Sequence, residues 1–303
     1  MKKRKALRLF LTAAIAIFLF FLAQANSWAQ SAPAAKPKPP RTVRLYVFDC
    51  GLLHNADMGR FNLKKEDVTT TDMSMACFLV AHPKGNLIWD TGAIPDDSWK
   101  PTGNMISQHV TLPDGSSRDA DVDKTLRGQL AEIGYSPADI NFLALSHYHY
   151  DHTGNANEFA SATWLVPQLE HDAMFGGKAY GSLQPSTFSA LKNSKTVILK
   201  EKEYDVFGDG SVIIKSAPGH TQGHQVLYVK LAKTGGVVLS GDLYHYPAEK
   251  TLDRVPNFDF SGEQTRASRK AVEAFLKEKN AQLWIQHDFV GNAKLKKSPQ
   301  FYE

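Results

Sequence analysis

Short runs of β-branched and aromatic residues recur along most of the chain, and glycine, proline or aspartate separates one run from the next. This pattern predicts β-strands, because such side chains pack well on a pleated sheet and the separating residues favour turns. The segment "MACFLVAHPKGNLIWDTGA" at 75–93 predicts two strands joined by a turn at "PKGN". Single strands are predicted at "VRLYVFDCG" (43–51), "NFLALS" (141–146), "ATWLVP" (162–167), "KTVILK" (195–200), "SVIIKSAP" (211–218), "QVLYVKL" (225–231), "GGVVLSGD" (235–242) and "QLWIQHD" (282–288).

Two longer segments place their apolar residues on one helical face. They are "DVDKTLRGQLAEIG" (121–134), which ends at Gly134, and "GEQTRASRKAVEAFLKEKN" (262–280), and both predict helices. Residues 95–118 are rich in proline, glycine, aspartate and serine, which predicts a long loop of the kind that often borders a binding site. Strands dominate both halves with helices between them, so the expected fold class is layered α/β.

The first 41 residues differ in composition from the rest of the chain. "MKKRK" precedes the apolar run "LFLTAAIAIFLFFLA", and Ser27 and Ala29 supply the small residues of a cleavage site, so residues 1–29 are expected to be a signal peptide. The alternative is an uncleaved membrane anchor, although the run is short for a spanning helix. Residues 30–41, "QSAPAAKPKPPR", are expected to form an extended linker, and 42–303 the folded domain.

Cleavage would change the charge of the protein. The leader holds five basic residues and no acidic one, so its removal takes the formal net charge from +4 to −1. A nucleic-acid partner is therefore not expected. The mature protein would be periplasmic or secreted, without a stable membrane span. In that oxidising compartment Cys50 and Cys77 can form a disulfide if the fold brings them together; the favoured alternative is two small buried residues on neighbouring strands.

Histidine and aspartate are concentrated in "LSHYHYDHTGN" at 145–155, directly after a predicted strand. A tight turn at a strand end can bring such side chains to one point, and imidazole nitrogens and carboxylate oxygens are favoured zinc ligands. Three more candidates follow later apolar runs, which gives enough ligands for two metal ions that share one carboxylate. The candidate ligands are His147, His149, Asp151, His152, His220, Asp242 and His287.

These residues resemble the motifs of the metallo-β-lactamase superfamily. Its HxHxDH motif matches residues 147–152, and its later ligands match His220, Asp242 and His287. The resemblance extends over residues 42–295 and implies an αβ/βα sandwich with two zinc ions at one edge. It implies His147, His149 and His220 on the first ion, Asp151, His152 and His287 on the second, and Asp242 as the bridge.

Within the superfamily, "GDLYHYP" at 241–247 is most similar to the N-acyl homoserine lactonases, which open quorum-sensing lactones. Many of these carry a tyrosine three residues after the bridging aspartate, where this chain has His245. Either a neighbouring tyrosine, Tyr244 or Tyr246, reaches the substrate, or His245 takes that role, or the preferred substrate differs. Asp151 is a further candidate for orienting water, and His224, in "GHTQGH", is expected to support the site by hydrogen bonds.

The resulting hypothesis is an exported dizinc hydrolase that opens N-acyl homoserine lactones by metal-activated hydroxide, a quorum-quenching activity. The expected partner is a small-molecule lactone, and a homodimer is left open. The alternatives are another metal-dependent esterase, phosphotriesterase or β-lactamase, or a non-catalytic metal or lactone binder. A β-lactamase is disfavoured, because such enzymes usually lack an aspartate at the position of Asp242. Residues 95–118 are the candidate wall of the substrate pocket.

Overall fold

Two mixed β-sheets lie at the centre of the structure, a computed structural model that describes residues 37–55, 57–98, 106–111, 115, 117–177 and 181–303. In this part of the chain the strands are β1 (Arg44–Leu53), β2 (Met73–His82), β3 (Gly85–Trp89), β4 (Ile106–Thr111), β5 (Ser117–Val122), β6 (Phe142–Ala144), β7 (Thr163–Pro167), β8 (Thr196–Leu199), β9 (Glu203–Asp205), β10 (Val212–Ser216), β11 (Gln225–Leu231), β12 (Gly235–Leu239), β13 (Ala281–Trp284) and β14 (Phe301–Tyr302). One sheet has the order β4-β5-β1-β2-β3-β6-β7-β8, with β14 also paired to β1, and the other has the order β13-β12-β11-β10-β9. Each half of the chain therefore builds one sheet, and the last strand returns to the first.

Helices connect and cover these strands. The described residues form α1 (Leu126–Glu132), α2 (Tyr150–Thr153), α3 (Gln168–Phe175), α4 (Pro247–Thr251), α5 (Gly262–Lys279) and α6 (Phe289–Ala293). Helix α5 begins after Ser261, whose side chain accepts a hydrogen bond from the backbone of Gln264, and ends at Asn280 with a φ of 48°. Serine caps free N–H groups, and asparagine tolerates the left-handed conformation that ends a helix. The helix predicted at 262–280 is thus confirmed, whereas the one predicted at 121–134 begins only at Leu126.

Alternate side chains of the strands pack on opposite faces of each sheet, which produces three hydrophobic layers. Leu45 and Val47 of β1 pack between the sheets with Leu227 and Val229 of β11. The intervening β1 residues pack on the other face of their sheet, where α1 and α3 cover it. The apolar face of α5 covers the outer face of the second sheet. The order helix, sheet, sheet, helix is the αβ/βα sandwich that the sequence predicts.

Residues 95–118 do not form the single long loop that their composition predicts. Ile106–Thr111 and Ser117–Val122 form the antiparallel pair β4 and β5 at the edge of the first sheet. Strand β5 also pairs with the end of β1, opposite Leu52 and Leu53. The sequences "ISQHVT" and "SRDADV" are largely polar. Their hydrophobic pattern therefore could not indicate strands, which depend here on pairing with a neighbour.

The predicted signal peptide at 1–29 and residues 30–36 of the predicted linker lie outside the described residues. Residues 37–303 form one compact unit. Across the part of the chain that the structure covers, no helix combines the length and the apolar character needed to cross a bilayer. The domain boundaries and export therefore stay predictions.

Cys50 and Cys77 form a disulfide, which decides between the two alternatives that the sequence leaves open. They lie on the neighbouring antiparallel strands β1 and β2, where Phe48 is the register partner of Cys77. Their Cα atoms are 5.9 Å apart, a distance that a disulfide spans. Both side chains are buried. The expected neighbouring strands are confirmed, but the favoured expectation of unbonded cysteines is wrong.

His54 joins two carboxylates near the end of β1. Its Nδ1 lies 2.9 Å from Asp72 Oδ1, and its Nε2 lies 2.8 Å from Asp121 Oδ2. Hydrogen bonds to Asp121 and Asp72 raise its pKa above 6.5. A raised pKa means that the folded protein holds the proton more tightly. The stabilisation of the fold by protonated His54 is therefore complete below the unfolded-state pKa of this histidine, and it is lost as the pH rises through the folded-state pKa.

We expect His54→Gln to lower the melting temperature by about 1–2 °C at pH 6 and to leave it unchanged at pH 9, since partly exposed ion pairs contribute little. Differential scanning calorimetry of the purified protein at both pH values measures this difference. His171→Gln, another substitution of a surface histidine, is the control. An equal decrease in melting temperature at pH 6 and pH 9 would show that the positive charge of His54 does not contribute to stability.

Candidate metal centre

The candidate ligands lie at strand ends, on the edge of the sandwich where loops of the two sheets meet. Strand β6 of the first sheet leads into the loop and the short helix α2 that carry residues 147–152. Strands β10, β12 and β13 of the second sheet lead to His220, Asp242 and His287. All seven candidate side chains are buried. The fold therefore gathers in one place residues that are far apart in the sequence.

Asp242 stands between two groups of candidate ligands. Its Oδ2 lies 3.2 Å from His220 Nε2 and 3.6 Å from His147 Nε2. Its Oδ1 lies 3.0 Å from both His152 Nε2 and His287 Nε2. One carboxylate oxygen thus faces each group, as in a ligand that bridges two ions. Within each group the possible ligand atoms lie within 4.8 Å of one another; the groups are His147, His149, His220 and Asp242, and Asp151, His152 and His287.

Several inward-facing atoms of this cluster are buried without a hydrogen-bond partner. Among the described residues they include Nε2 of His147, of His152 and of His287, and Oδ1 of Asp242. In addition, His149 Nδ1 and His220 Nε2 lie only 3.0 Å apart. Buried polar atoms are nearly always hydrogen-bonded, so orphaned nitrogen and oxygen atoms that face one space have the character of metal ligands. The donor set therefore fits two divalent cations.

The outward-facing ring nitrogens of the histidines have fixed partners, which orient the rings. Such outer hydrogen bonds select the tautomer that keeps a lone pair for the metal. The Nδ1 distances are 3.0 Å from His147 to Ser146 Oγ, 2.9 Å from His152 to Asp90 Oδ2, 2.9 Å from His220 to Asp259 Oδ1 and 2.8 Å from His287 to the Ser74 carbonyl. Neither Asp90 nor Asp259 is predicted from the sequence. Asp90 directly follows β3, and this position at a strand end is the one feature of the sequence that could have indicated a role at the site.

Protonation of the cluster opposes metal binding at acid pH. Burial lowers the pKa of His147 and of His149 well below the usual range, so both rings are neutral and can offer lone pairs. Burial also acts to lower the pKa of His152 and of His220, but Asp242 and other nearby carboxylates outweigh it and raise both values. Protons and cations compete for these nitrogens, so metal affinity is expected to decrease as the pH falls.

His224 supports Asp242 by a hydrogen bond to its backbone and belongs to neither ligand group. Its Nε2 accepts a hydrogen bond of 2.9 Å from the backbone N–H of Asp242. Its Nδ1 therefore carries the proton and donates to the carbonyl of Ala217 at 3.0 Å. Burial lowers the pKa of His224 to about 3, which keeps the ring neutral. The ring thus fixes the backbone that presents the Asp242 carboxylate.

The three consecutive candidates after Asp242 point in different directions. Tyr244 does not reach the site, because its hydroxyl lies 3.4 Å from Glu273 Oε1 and its ring lies under the Arg269 guanidinium. Its candidacy as a catalytic residue is therefore corrected. Tyr246 donates from its hydroxyl to the backbone carbonyl of Thr71. His245 is the member of this stretch that lines the cleft in front of the ligands.

The empty space in and at the open mouth of that cleft is about 470 Å³. Polar groups of the metal centre form its floor, and part of its wall is apolar, formed by Leu53, Phe61, Met73 and Phe258. The composition of residues 95–118 predicts that they form the pocket wall. None of the described residues of that segment lines the cleft, and residues 99–105, 112–114 and 116 lie outside the described part.

Glu170, on α3, joins the two loops that carry the histidine ligands. Its Oε2 accepts the N–H of Tyr148 at 3.0 Å, between two ligand histidines. Its Oε1 accepts the Thr221 hydroxyl at 2.6 Å and the Gly223 N–H at 2.8 Å. Burial raises its pKa to about 7, although these hydrogen bonds act in the opposite direction. The side chain thus couples the position of one loop to that of the other.

We expect Glu170→Gln to weaken zinc binding by about 10–100-fold and to reduce the free energy of unfolding by about 1–3 kcal/mol. Glutamine keeps one acceptor oxygen but turns an NH₂ group toward a backbone or hydroxyl donor, which leaves that donor buried without a partner. Titration against a competing chelator and thermal denaturation measure the two effects. Asp172→Asn, on the exposed side of the same helix, is the control. Zinc affinity equal to that of the wild type would refute the coupling of the loops.

Comparison with known proteins gives consistent matches. A family model for the metallo-β-lactamase superfamily matches residues 71–283. The curated protein N-acyl homoserine lactonase AttM of Rhizobium radiobacter is 29% identical over 273 residues, covering 86% of this chain and 98% of AttM. A solved N-acyl homoserine lactone hydrolase with the product N-hexanoyl-L-homoserine at its catalytic metal centre has a TM-score of 0.69 and 20% identity, over 86% of this chain and 99% of that one.

A second solved structure, AidC, is described as a dizinc quorum-quenching lactonase. It has a TM-score of 0.60 and 19% identity, covering 90% of this chain and 98% of its own. At such identities the structural matches establish the shared fold. The family model covers more than half of the chain, from the start of β2 through Asp242 into β13. This chain is therefore a member of the metallo-β-lactamase superfamily of hydrolases.

Proposed function

We propose that this protein is a dizinc N-acyl homoserine lactonase, which opens the lactone ring by hydrolysis. The observation that carries the proposal is the position of Asp242, with one carboxylate oxygen toward each ligand group. Two cations that share a carboxylate can drive ester hydrolysis without a serine or cysteine nucleophile. The names of AttM and of the product-bound hydrolase support the substrate, and that of AidC supports the two zinc ions.

Each of the two ligand groups would hold one ion. His147, His149 and His220 would hold the first zinc, Asp151, His152 and His287 the second, and Asp242 would contact both. Bound there, two zinc ions would supply Lewis-acid chemistry, activating water near neutral pH and polarising an ester carbonyl. The protein contributes the rigid cage, because the ring N–H groups of His152, His220 and His287 donate to Asp90, Asp259 and the Ser74 carbonyl.

Other residues of the cleft orient the reactants. Asp151 lines the cleft, and its Oδ2 lies 3.6 Å from His287 Nε2, which leaves Oδ1 to orient the attacking water. The apolar wall, with Phe61 and Phe258, excludes water and suits an acyl chain better than a charged group. A neutral, partly apolar lactone thus matches both parts of the cleft.

Proton release from N-acyl homoserine lactones tests this function. The purified chain, loaded with zinc, is given lactones of short and long acyl chain in weak buffer with a pH indicator. Ring opening forms an acid, so we expect acid release that stops after chelation and returns when zinc is added. Acid release by protein with verified loss of zinc would contradict the metal-dependent reaction. A zinc-loaded chain that releases no acid would refute lactonase activity and direct the assay to other esters, phosphotriesters and β-lactams.

We also propose that the chain is exported and cleaved after Ala29. The Cys50–Cys77 disulfide supports this, since such bonds persist in oxidising compartments and are rare in the cytosol. N-terminal sequencing of the protein from a periplasmic fraction is expected to begin at Gln30. Protein that starts at Met1 and stays in the membrane fraction would favour the uncleaved anchor.

A further inference from the structure

Gln286 connects the two sheets beside the metal centre. It follows β13 of the second sheet and directly precedes the candidate ligand His287. Its Nε2 donates to Asp90 Oδ2 at 2.7 Å and to the backbone carbonyl of Ala76 at 2.8 Å, and both of these partners belong to the first sheet or to its strand ends. Asp90 Oδ2 also accepts the Nδ1–H of His152 at 2.9 Å. One carboxylate oxygen therefore joins Gln286 to a ligand histidine of the other sheet.

The backbone of Gln286 is fixed as well. Its N–H donates to Ser240 Oγ at 3.1 Å, two residues before Asp242. Its carbonyl accepts the Ser74 hydroxyl at 3.1 Å and the Asn292 side-chain amide at 2.8 Å. The side chain thus extends from an anchored backbone, so its amide group has a defined position relative to the ligands.

The partners of Gln286 decide which end of its amide faces Asp90. The Asp90 carboxylate and the Ala76 carbonyl both accept hydrogen bonds, so only the NH₂ group can face them. Gln286 and Asp90 are 2% and 1% exposed, so both depend on protein partners. Gln286 Oε1 is buried without a partner among the described residues, which lowers stability. Stability alone therefore does not explain a glutamine here; its amide provides two donors that cross between the sheets.

These contacts concern the second ligand group more than the first. The second group consists of Asp151, His152 and His287. Its two histidines come from different sheets, and the bond from Gln286 to Asp90 links the support of one to the chain segment of the other. The outer ring nitrogens of His147 and His220, in the first group, have other partners. Loss of the bond should therefore affect the two groups unequally.

We propose that Gln286 is a positioning residue that sets the spacing of the two histidines of the second ligand group, an inference that rests on the dizinc centre of the proposed function and not on the lactone. Gln286 does not line the cleft and is not a member of either ligand group; it acts through Asp90. Because its amide is neutral, it holds the Asp90 carboxylate without changing the net charge of the site. Without this bond the second ion loses affinity while the first is retained.

Stepwise zinc titration of the metal-free protein against a competing chelator tests the proposal. Gln286→Met keeps a side chain of similar length and removes both donors. It should weaken the binding of one of the two zinc ions by about 10–100-fold, and that of the other by less than about threefold. NMR of the variant with ¹⁵N-labelled histidine identifies the retained site. At one zinc per chain the ring nitrogens that shift should be those of His147, His149 and His220.

Two outcomes of this titration would contradict the proposal. Zinc affinities in Gln286→Met that both equal those of the wild type would show that the bond does not position a ligand. Shifted ring nitrogens of His152 and His287 at one zinc per chain would show that the second group is the one retained, and would overturn the assignment.

Gln129→Met is the matched control for a general loss of stability. Gln129 is a buried glutamine of α1, and its Nε2 donates to the backbone carbonyl of Asp49 at 2.7 Å, away from the ligand groups. The control should lower the melting temperature and leave both zinc affinities unchanged. If it weakened one zinc ion as much as Gln286→Met does, the effect would be one of stability and the positioning role would be refuted.

A double-mutant cycle tests whether Gln286 acts through Asp90. Asp90→Asn should itself weaken zinc binding, because Asp90 is the outer partner of His152. Adding Gln286→Met should cause little further loss, since both substitutions break the same link. Losses of affinity that add in the double variant would overturn the action through Asp90.

Hydrogen exchange in the wild type provides a measurement that does not depend on a variant. If the bond from Gln286 strengthens binding of the second ion, that ion must strengthen the bond equally, because coupling between two equilibria is reciprocal. The Nε2 protons of Gln286 should therefore exchange more slowly after the second zinc equivalent is added, whereas those of the exposed Gln300 should not change. Exchange of the Gln286 protons that is independent of the second equivalent would overturn the proposal.

These readouts need no substrate, so they distinguish this inference from the lactonase function. Selective loss of the second zinc in Gln286→Met, in a protein whose wild type opens no lactone, would overturn the substrate assignment and leave the role of Gln286 standing. A wild-type protein that takes up a single zinc ion would overturn the dizinc centre and this inference with it.

Discussion

Replacing Asp242 with asparagine is expected to reduce the zinc content from two ions per chain to one or none, and to lower lactone hydrolysis at least about a thousandfold. Asp242 offers Oδ1 to His152 and His287 and Oδ2 to His147 and His220. Asparagine keeps one oxygen, but its NH₂ group has no lone pair for a metal. The loss should exceed the 10–100-fold effect of an outer residue, because a shared ligand and its charge are both removed.

Metal analysis after dialysis and initial rates measure these two effects. Asp209→Asn, the same substitution on the surface, should change neither. Asp151→Asn removes a ligand of one group only, so it should lower zinc content less than Asp242→Asn. If Asp242→Asn retained both ions with wild-type affinity, the carboxylate would not be the bridge.

The double substitution of Cys50 and Cys77 by alanine is expected to cause the largest loss of stability, about 3–4 kcal/mol, or roughly 6–12 °C in melting temperature. The disulfide joins residues 27 positions apart and so restricts the unfolded chain. Both sulfur atoms are buried beside the apolar layer under α1 and α3, so the lost packing adds to the effect. Calorimetry of the zinc-loaded protein measures the change.

A reducing agent provides an internal control for that experiment. Tris(2-carboxyethyl)phosphine, a reductant without thiols that would chelate zinc, should bring the melting temperature of the wild type close to that of the double alanine variant, and should not affect the variant. A wild-type melting temperature that is insensitive to complete reduction would mean that the bond contributes nothing to stability.

The sequence predicts the candidate metal ligands better than other parts of the structure, because residues able to bind metals occur there directly after predicted strands. Every candidate ligand follows an apolar run, and strand ends of one sandwich edge necessarily lie close together. Strands β4 and β5 could not be predicted, because edge pairing and not apolar alternation forms them. Helix α3 was missed for a similar reason: "QLEHDAMF" has only a weak apolar face.

Side-chain directions were the main part of the site that the sequence could not provide. Proximity to Asp242 made Tyr244 and His245 equal candidates, and the packing of Tyr244 against Arg269 separates them.

The ligand groups draw residues from both sheets, with residues 147–152 after β6 and His220, Asp242 and His287 after strands of the other sheet. Ions bound there clamp one half of the sandwich to the other. Because they bind the folded chain and not the unfolded one, each tenfold rise in free zinc above the dissociation constant would add about 1.4 kcal/mol of stability per site. The melting temperature of this protein would then depend on the concentration of free zinc in its compartment. At low zinc concentration the protein would lose stability together with activity.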